Sequence, residues 1–279
     1  MRPATLPTLA AAIALFPSND TPLAALLPTG AKTATEQLAR LDRLCGLAVV
    51  GSEGCLARLE PTWRDQAAQT AVFCGSRDGC LATDTAFFRG VQNGEASPRL
   101  FAYTLHSAPV GAVSIQHGLL GPGATVIGSQ VAGLQALEEA TLLLSSGRAR
   151  ACLVLSCDLA WSPGIDAVAA LYLTSQPASL IGYSTWKILD IHSFFVAEQP
   201  DIALSRALAA LHQRVPQSAA ALAVSTSGPP LATLAALLDE PSTVHPQLND
   251  PSQSCVVITS QDAQGYAAAA VIGRDHGVS

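Results

Sequence analysis

The stretch from residue 123 to residue 158 constrains the fold more than any other part of the chain. It opens with the β-branched run GATVIGS, passes through Gln130 into a long segment that Gly147 stops, and closes with the apolar run RACLVLSCD. Residues of the middle segment recur every three or four positions on one helical stripe: Val131, Leu134, Leu137, Thr141 and Leu144. The order strand, tight turn, long helix, strand predicts an α/β unit whose helix crosses over a sheet.

The sequence before this unit also alternates between helical and strand patterns. Residues 35–59 have apolar positions at helical spacing, which predicts one helix with a face toward a core. Those positions are Leu38, Leu41, Leu44, Leu47 and Val50. The run QTAVFCGS predicts a buried strand, and helices follow at 81–93 and 104–117, separated by the turn-rich NGEASPRL.

The sequence after the central unit repeats this order of elements with fewer residues. Strands or mixed elements are predicted at 167–173 and 179–190, and a helix at 201–213. AAALAVS then predicts a strand, LATLAALLDE a helix, and SCVVITS and YAAAAVIG two closing strands. We therefore predict an α/β fold of two similar halves in one compact unit, residues 1–160 and a reduced second half, residues 161–279.

The composition excludes several classes of function. Only 13% of the 279 residues are charged, the net charge is -6, and no basic cluster is present, so a nucleic-acid-binding protein is excluded. Lysine occurs only at Lys32 and Lys187, which favours a large apolar face hidden against a partner; the alternative is a large core. No run of 18 or more apolar residues predicts a membrane span. The opening MRPATLPTLAAAIALFPSND only faintly imitates a signal peptide, because Pro7 interrupts it, so we expect a cytoplasmic protein.

The cysteines and histidines give no metal or cofactor signature. Seven scattered cysteines, with no C-x-x-C pair, predict buried free thiols rather than a disulfide framework. None of the six histidines has metal-ligand spacing to a cysteine. We therefore expect no metal and no cofactor.

The turn between the β-branched run and the long helix is where an α/β enzyme would place a nucleophile. The head of a helix offers unpaired N–H groups and a positive potential, which stabilise a thiolate. Gln130 occupies this turn, and a carboxamide is not nucleophilic. Ser129 does not fit a hydrolase motif, because Ile127 stands where G-x-S-x-G requires its first glycine.

Residues 98–158 resemble the central segment of the β-ketoacyl synthases, which condense acyl chains on acyl carrier protein. The resemblance includes the G-L-x-G-P turn from Gly118 to Pro122, Gly133, and the A-L-x-x-A helix that follows. Upstream, LARLDRLCGLAVVGSEGCLARL and AVFCGSRDG resemble the family's early helix and its next strand and turn. The resemblance implies a thiolase-like layered α/β/α/β/α architecture with a shortened second half.

The resemblance fails at the catalytic positions. The family's nucleophilic cysteine falls on Gln130, and its first catalytic histidine falls on Ser225, in STSGPPL. Its second histidine segment has no counterpart, and its closing glycine-rich segment is matched only weakly by TSQDAQGYAAAAVIG. No catalytic residue is therefore expected in this chain.

Within the resemblance, this pattern favours a chain length factor. Such a subunit is the inactive partner of a catalytic ketosynthase in type II polyketide synthesis, and the pair meets acyl carrier protein. Polyene pathways, including aryl polyenes, are the expected subtype. The residues implied at the partner interface and acyl tunnel are Leu105, His106, Ala108, Pro109, Ala112, Ser129, Gln130 and Val131. The alternative for the helix residues of this set is that they only fill a core between helices.

Three other functions stay open. Gln130 could hold a thioester carbonyl in a malonyl-thioester decarboxylase that primes chains. That reaction builds negative charge on the thioester oxygen, and the histidine donors that would stabilise it are missing. The chain could also be a stand-alone scaffold that binds carrier protein. Finally, it could be an enzyme with Cys74 or Cys157 as an unrecognised nucleophile.

Overall fold

The computed structural model describes residues 6–175, 186–212, 220–225, 230–231 and 253–274. The strands are β1 (Thr8–Leu15), β2 (Thr70–Ser76), β3 (Gly123–Ile127), β4 (Ala151–Ser162), β5 (Ile165–Thr174), β6 (Trp186–Phe195), β7 (Ala220–Ser225), β8 (Gln253–Gln261) and β9 (Tyr266–Arg274). The helices are α1 (Thr35–Leu38), α2 (Arg43–Leu56), α3 (Leu81–Gln92), α4 (Pro98–Phe101), α5 (Ala108–His117), α6 (Ala132–Ser145) and α7 (Pro200–His212). Short 3-10 segments span Leu23–Leu26 and Pro61–Gln69.

The strands form one sheet in the order β3-β2-β4-β5-β1-β6-β9-β8-β7. Its two halves meet at β1, which pairs along its length with β5 but with β6 only through Thr8 and Lys187. In the first half, β2, β3 and β4 are parallel, and β4, β5 and β1 are antiparallel neighbours. In the second half, β9 runs antiparallel to both β6 and β8, while β7 and β8 are parallel.

The helices and the two half-sheets stack in five layers. Buried residues of α2 and α5 pack on the outer face of the first half-sheet, and α7 packs on the outer face of the second. The middle layer is α6, whose buried Leu134 and Leu137 belong to a cluster shared by β2, β4, β5, β6, β8 and β9. Buried apolar side chains on two sides of α6 let both half-sheets pack against the same helix. The predicted thiolase-like α/β/α/β/α architecture, with a smaller second half, is confirmed.

The prediction of a single helix over residues 35–59 is wrong, because the helix is interrupted between Leu38 and Arg43. Asp42 is the N-cap of α2, with its Oδ1 accepting from the Cys45 N–H at 2.9 Å. Its Oδ2 accepts from the Thr83 hydroxyl at 2.9 Å, so the cap also ties α2 to α3. The apolar face was predicted correctly, since Leu38 and the later leucines still pack into one outer cluster.

The opening apolar run is a buried strand. TLAAAIAL forms β1 and lies between β5 and β6 at the middle of the sheet. Similarly, the predicted helix over 104–117 begins only at Ala108, and the predicted break NGEASPRL contains the start of α4, where the Ser97 hydroxyl accepts from the Leu100 N–H. Pairing with β5 decided the conformation of the opening run, and a local cap decided the start of α4.

The second half follows the predicted order where the structure describes it. Strands β5 to β9 and helix α7 all form at the expected places. The predicted boundary at residue 160 falls in β4, inside the β4–β5 hairpin, and β5 belongs to the first half-sheet. The predicted helix LATLAALLDE lies outside the described residues except for its first residue, as does most of the segment 179–190 before β6. Among the described residues, no helix has the length and apolar character to cross a membrane.

Candidate functional site at the head of α6

The carboxyl end of β3 delivers the chain to the head of α6 through a turn of four residues. Because β2, β3 and β4 are parallel, their carboxyl ends meet at this edge of the sheet. Gly128 has φ 107°, a backbone conformation that side chains disfavour, and its N–H donates to the Ser76 carbonyl at 3.3 Å. The turn then places Ser129 and Gln130 directly before Val131, the N-cap residue of α6.

Gln130 is hydrogen-bonded to the second half of the chain through its backbone. Its N–H donates to Asp262 Oδ2 at 3.4 Å, and its side chain is half-buried. Within the described residues, the Gln130 carboxamide makes no hydrogen bond. Ser129 is 3% exposed, and its hydroxyl donates to the Gln135 Oε1 at 3.2 Å. The Ser129 hydroxyl is therefore engaged in a hydrogen bond to a residue of α6.

Asp262, which sequence reasoning missed, organises the turn that covers Gln130. Its Oδ1 accepts from the backbone N–H groups of Gln264 and Tyr266, both at 3.0 Å, and it is 8% exposed. Gly265 completes the β8–β9 turn with φ 103°. The available signal was an aspartate three residues before a glycine, between two apolar runs, which predicts a turn but not its long-range contact.

The packing around the head of α6 leaves no room for a side chain at Gly75 or Gly133. A methyl group at Gly75 would overlap the backbone of Ala132, and one at Gly133 would lie 2.9 Å from the Leu231 Cβ. Glycine is required at Gly75 because the opposing atoms are backbone and cannot rotate away. This packing fixes the position of Gln130 relative to the strand ends.

A buried carboxyl group holds the neighbouring turn after β2. Asp158 Oδ1 accepts from the Arg77 N–H at 2.6 Å and from the Ser76 hydroxyl at 3.1 Å. Asp158 is 3% exposed, and this burial raises its pKa to about 6, against the hydrogen bonds, which lower it.

A cysteine and a histidine lie together beside the same turn. Cys80 Sγ is 3.0 Å from His106 Nδ1 and 3.1 Å from the Thr104 carbonyl oxygen. A methyl group on Gly79 would lie 2.7 Å from His106 and 2.9 Å from Ile127, which places His106 next to the end of β3. Burial and the adjacent Asp84 raise the pKa of Cys80 to about 11, so its thiol stays protonated at neutral pH and is not an activated nucleophile.

The sequence model for "Beta-ketoacyl synthase, N-terminal domain" matches residues 24–176, which is more than half of the chain. This chain belongs to the β-ketoacyl synthase family. No curated protein matches the sequence significantly.

Solved structures agree with the family on the fold. "The ishigamide ketosynthase/chain length factor" aligns with TM-score 0.72 and 21% identity, over 96% of this chain and 99% of that chain. "AntDE:AntF (apo): type II PKS acyl-carrier protein in complex with its ketosynthase bound to the hexaketide" aligns with TM-score 0.70 and 14% identity, over 97% and 99%. A β-ketoacyl synthase from Burkholderia phymatum STM815 aligns with TM-score 0.66 and 14% identity, over 89% and 86%.

The predicted interface and tunnel residues divide into two groups. Ser129, Gln130 and Val131 lie at the head of α6, and His106 lies next to the end of β3. Leu105 is 63% exposed. On α5, Pro109 is buried and Ala108 is half-buried, while the half-buried Ala112 packs against the outer cluster of α2 and β2. The contact of Ala112 matches the alternative that it fills a core, so its tunnel role stays a prediction.

The histidines and cysteines of the described residues offer no family-type catalytic group to Gln130. His106, His117 and His192 are hydrogen-bonded to Cys80, Ser52 and Asp190 respectively. Ser225, expected at a catalytic-histidine position, ends β7. All seven cysteines are free and buried, as predicted. Among the described residues, no group of three or more histidine, cysteine or acidic side chains could hold a metal ion.

Burial also removes the candidate nucleophiles Cys74 and Cys157. They are 1% and 0% exposed and lie in the outer cluster under α2. A hydrogen bond to Cys74, together with burial, holds the pKa of Cys157 well above its ordinary value. Neither sulfur is available to an acyl thioester.

Proposed function

We propose that this chain is a non-catalytic, chain-length-factor-like partner of a ketosynthase in type II polyketide synthesis, with a polyene pathway as the subtype. The observation that carries the proposal is the residue at the head of α6. Gln130 occupies the family's nucleophile position, and a carboxamide cannot form an acyl-enzyme. A subunit with this substitution contributes shape and contact surface rather than chemistry.

The free edge of the sheet supports assembly with a partner. In the part of the chain that the structure describes, β3 is the last strand on its side of the sheet, so one row of its backbone N–H and C=O groups has no neighbouring strand there. Its Gly123 and Ala124 are exposed, and the buried hydroxyl of Thr125 has no hydrogen-bond partner among the described residues. An edge of this kind is a ready template for a strand of another chain.

Exposed apolar side chains concentrate in the chain just before this edge. We call residues 81–120 the apolar flank. Its large exposed members are Leu81, Phe88, Val91, Phe101, Leu105, Ile115 and Leu120. Large exposed apolar surface marks interaction sites on folded proteins, and only two lysines are available to oppose association. A ketosynthase subunit that pairs with β3 would cover this flank.

Co-expression with a ketosynthase that has an intact cysteine and both histidines tests assembly. We expect a tight 1:1 complex and poor behaviour of this chain alone, measured by light scattering after size exclusion. A monodisperse monomer that does not bind the ketosynthase would overturn the proposal. If that monomer binds acyl carrier protein, the result would favour a stand-alone scaffold.

Replacing small residues of α5 by tryptophan tests the tunnel. In the complex, Ala108→Trp and Ala112→Trp should shorten the acyl products, as measured by mass spectrometry of carrier-bound chains. Ala25→Trp, at an exposed residue of the first 3-10 segment, is the matched control. Unchanged products with intact assembly would remove the tunnel assignment.

Gln130→Ala separates this function from the decarboxylase alternative. The proposed partner needs no chemistry at Gln130, so priming from a malonyl thioester should continue at nearly the same rate in the complex. A loss of about a hundredfold or more in decarboxylation, with assembly intact, would assign catalysis to the carboxamide instead.

A further inference from the structure

A cavity of about 400 Å³ lies at the other end of the parallel strands from Gln130. It is bounded by the ends of α2 and α5 and by the loop around Lys32. Helix α5 ends at His117, and the chain then re-enters the sheet at Gly123, the first residue of β3. The cavity therefore lies toward the amino ends of the parallel strands, and no step of the proposed function uses it.

A buried carboxylate that has no cationic partner among the described residues forms the floor of this cavity. Glu53 is 7% exposed and lines the cavity. Its Oε1 accepts from both the backbone N–H and the hydroxyl of Thr33, at 3.1 and 2.5 Å. Its Oε2 has no hydrogen bond, and Glu53 has no ion pair, within the described residues. A buried carboxylate is costly unless a cation or several donors compensate it.

The imidazole of His117 adds a second acceptor to the same wall. The Ser52 hydroxyl donates to the Val49 carbonyl at 2.7 Å, so it must accept from the His117 Nε2–H, which is 2.8 Å away. We therefore assign the proton to Nε2, which leaves Nδ1 as an acceptor. Burial lowers the pKa of His117 to about 4, with Glu53 opposing the shift, so the ring is neutral near pH 7.

The mouth of the cavity has the opposite charge to its floor. The exposed residues Lys32 and Arg64 line it, and the Arg64 guanidinium lies 4.7 Å from the Trp63 ring centroid. Trp63 itself is 6% exposed, and Leu56 and Leu59 complete an apolar wall. The site thus runs from an anionic, acceptor-rich floor past apolar side chains to a cationic rim.

We propose that this cavity binds a small zwitterion of the amino-acid class, with its ammonium group on the floor and its carboxylate at the rim. The ammonium donates to Glu53 Oε2 and His117 Nδ1, and the carboxylate pairs with Lys32 and Arg64. A cavity of this volume holds about a dozen non-hydrogen atoms at the density of liquid water. An ω-amino acid with a short methylene chain satisfies the charges at both ends and places its stem on the apolar wall.

Calorimetric titration of the full-length chain with 4-aminobutyrate tests this site. We expect saturable binding with a dissociation constant below about 1 mM, and at least about tenfold weaker binding of n-butylamine and of butyrate. Glycine, β-alanine and 6-aminohexanoate then measure the spacing between floor and rim. No binding of any ω-amino acid at about 10 mM, or equal binding of butyrate, would overturn the proposal.

Charge-neutral variants test the two ends separately. Glu53→Gln keeps the acceptor for Thr33 but removes the charge, and should weaken 4-aminobutyrate at least about tenfold without changing the affinity for butyrate. Glu60→Gln, at an exposed acid outside the cavity, should leave binding unchanged. If Glu53→Gln fails to fold, the second variant is Lys32→Gln, at an exposed residue. It must weaken the binding of 4-aminobutyrate but not the binding of n-butylamine. Equal affinities of Lys32→Gln and the native chain for 4-aminobutyrate would contradict the assignment.

Discussion

The middle layer and the apolar flank have similar side chains but opposite surroundings. Leu134 and Leu137 of α6 are 0% exposed, because a half-sheet covers each side of the helix. Phe88 and Ile115 of the flank are 62% and 86% exposed, although they are as apolar as the residues of α6. Apolar character alone therefore does not mark the core of this protein. What separates the two regions is whether the same chain supplies the second surface.

Truncation inside the middle layer gives the largest expected effect. Leu137→Ala should lower the free energy of unfolding by about 2–5 kcal/mol, because two half-sheets cannot both collapse into the space it leaves. Leu142→Ala on the same helix is the matched control, since Leu142 is 57% exposed, and should change stability by less than about 0.5 kcal/mol. Denaturant titration of both variants measures the difference. Equal losses would mean that α6 is not enclosed on both sides.

Asp158, which holds the turn after β2, should give a pH-dependent effect on the free energy of unfolding that is intermediate in size. The pKa of Asp158 is raised from 3.8 to about 6, so its protonated form favours the folded chain. This stabilisation is fully present below about pH 4 and is lost as the pH rises through about 6. Asp158→Asn keeps the acceptor for Ser76 and Arg77 without the charge. Relative to the native chain, the variant should gain at most about 3 kcal/mol of stability between pH 4 and pH 7.

Chemical denaturation at a series of pH values measures the effect of Asp158→Asn. Asp65→Asn, at an exposed aspartate, is the control and should have the same pH dependence as the native chain. A native-like slope in Asp158→Asn between pH 4 and pH 6 would show that another group titrates there.

A polar substitution in the apolar flank should have the smallest effect on the free energy of unfolding and a large effect on assembly with the ketosynthase. Ile115→Gln should change the free energy of unfolding by less than about 0.5 kcal/mol, because Ile115 has few neighbours to lose. The same change should reduce the yield of complex with a co-expressed ketosynthase. Ile202→Gln on α7, at a residue 44% exposed outside the flank, should leave that yield unchanged. Should Ile115→Gln destabilise the isolated chain instead, the flank would be a covered part of its own core.

Patterns that local physics dictates were predictable, and contacts between distant segments were not. The unit from β3 through α6 to β4 follows from hydrophobic period and a glycine stop, and it formed as predicted. The break at Asp42 was missed because helical spacing continues across it, whereas the cap depends on Asp42 bonding both the Cys45 N–H and Thr83. A potential capping residue inside a periodic run is visible in the sequence, but the sequence does not show whether it caps a helix.

The same distinction applies to the candidate site. Gln130 was located from the family resemblance and from the turn that precedes α6. Its partner Asp262 lies 132 residues later, and only the packing of the second half-sheet beside α6 brings the two together. The pairing of Glu53 with Thr33, 20 residues earlier, has no sequence signature either.

By itself the sequence determined the α/β alternation, the amide at the head of α6 and the absence of a thiol there, since these depend on residue type and on periods of a few residues. Only the tertiary structure decided that the opening apolar run is the strand joining two half-sheets, and that α6 is buried on both sides while the flank is not. The physical reason is that an apolar run gains free energy from any apolar surface that covers it. Which surface that is depends on segments far away in the chain, or in another chain.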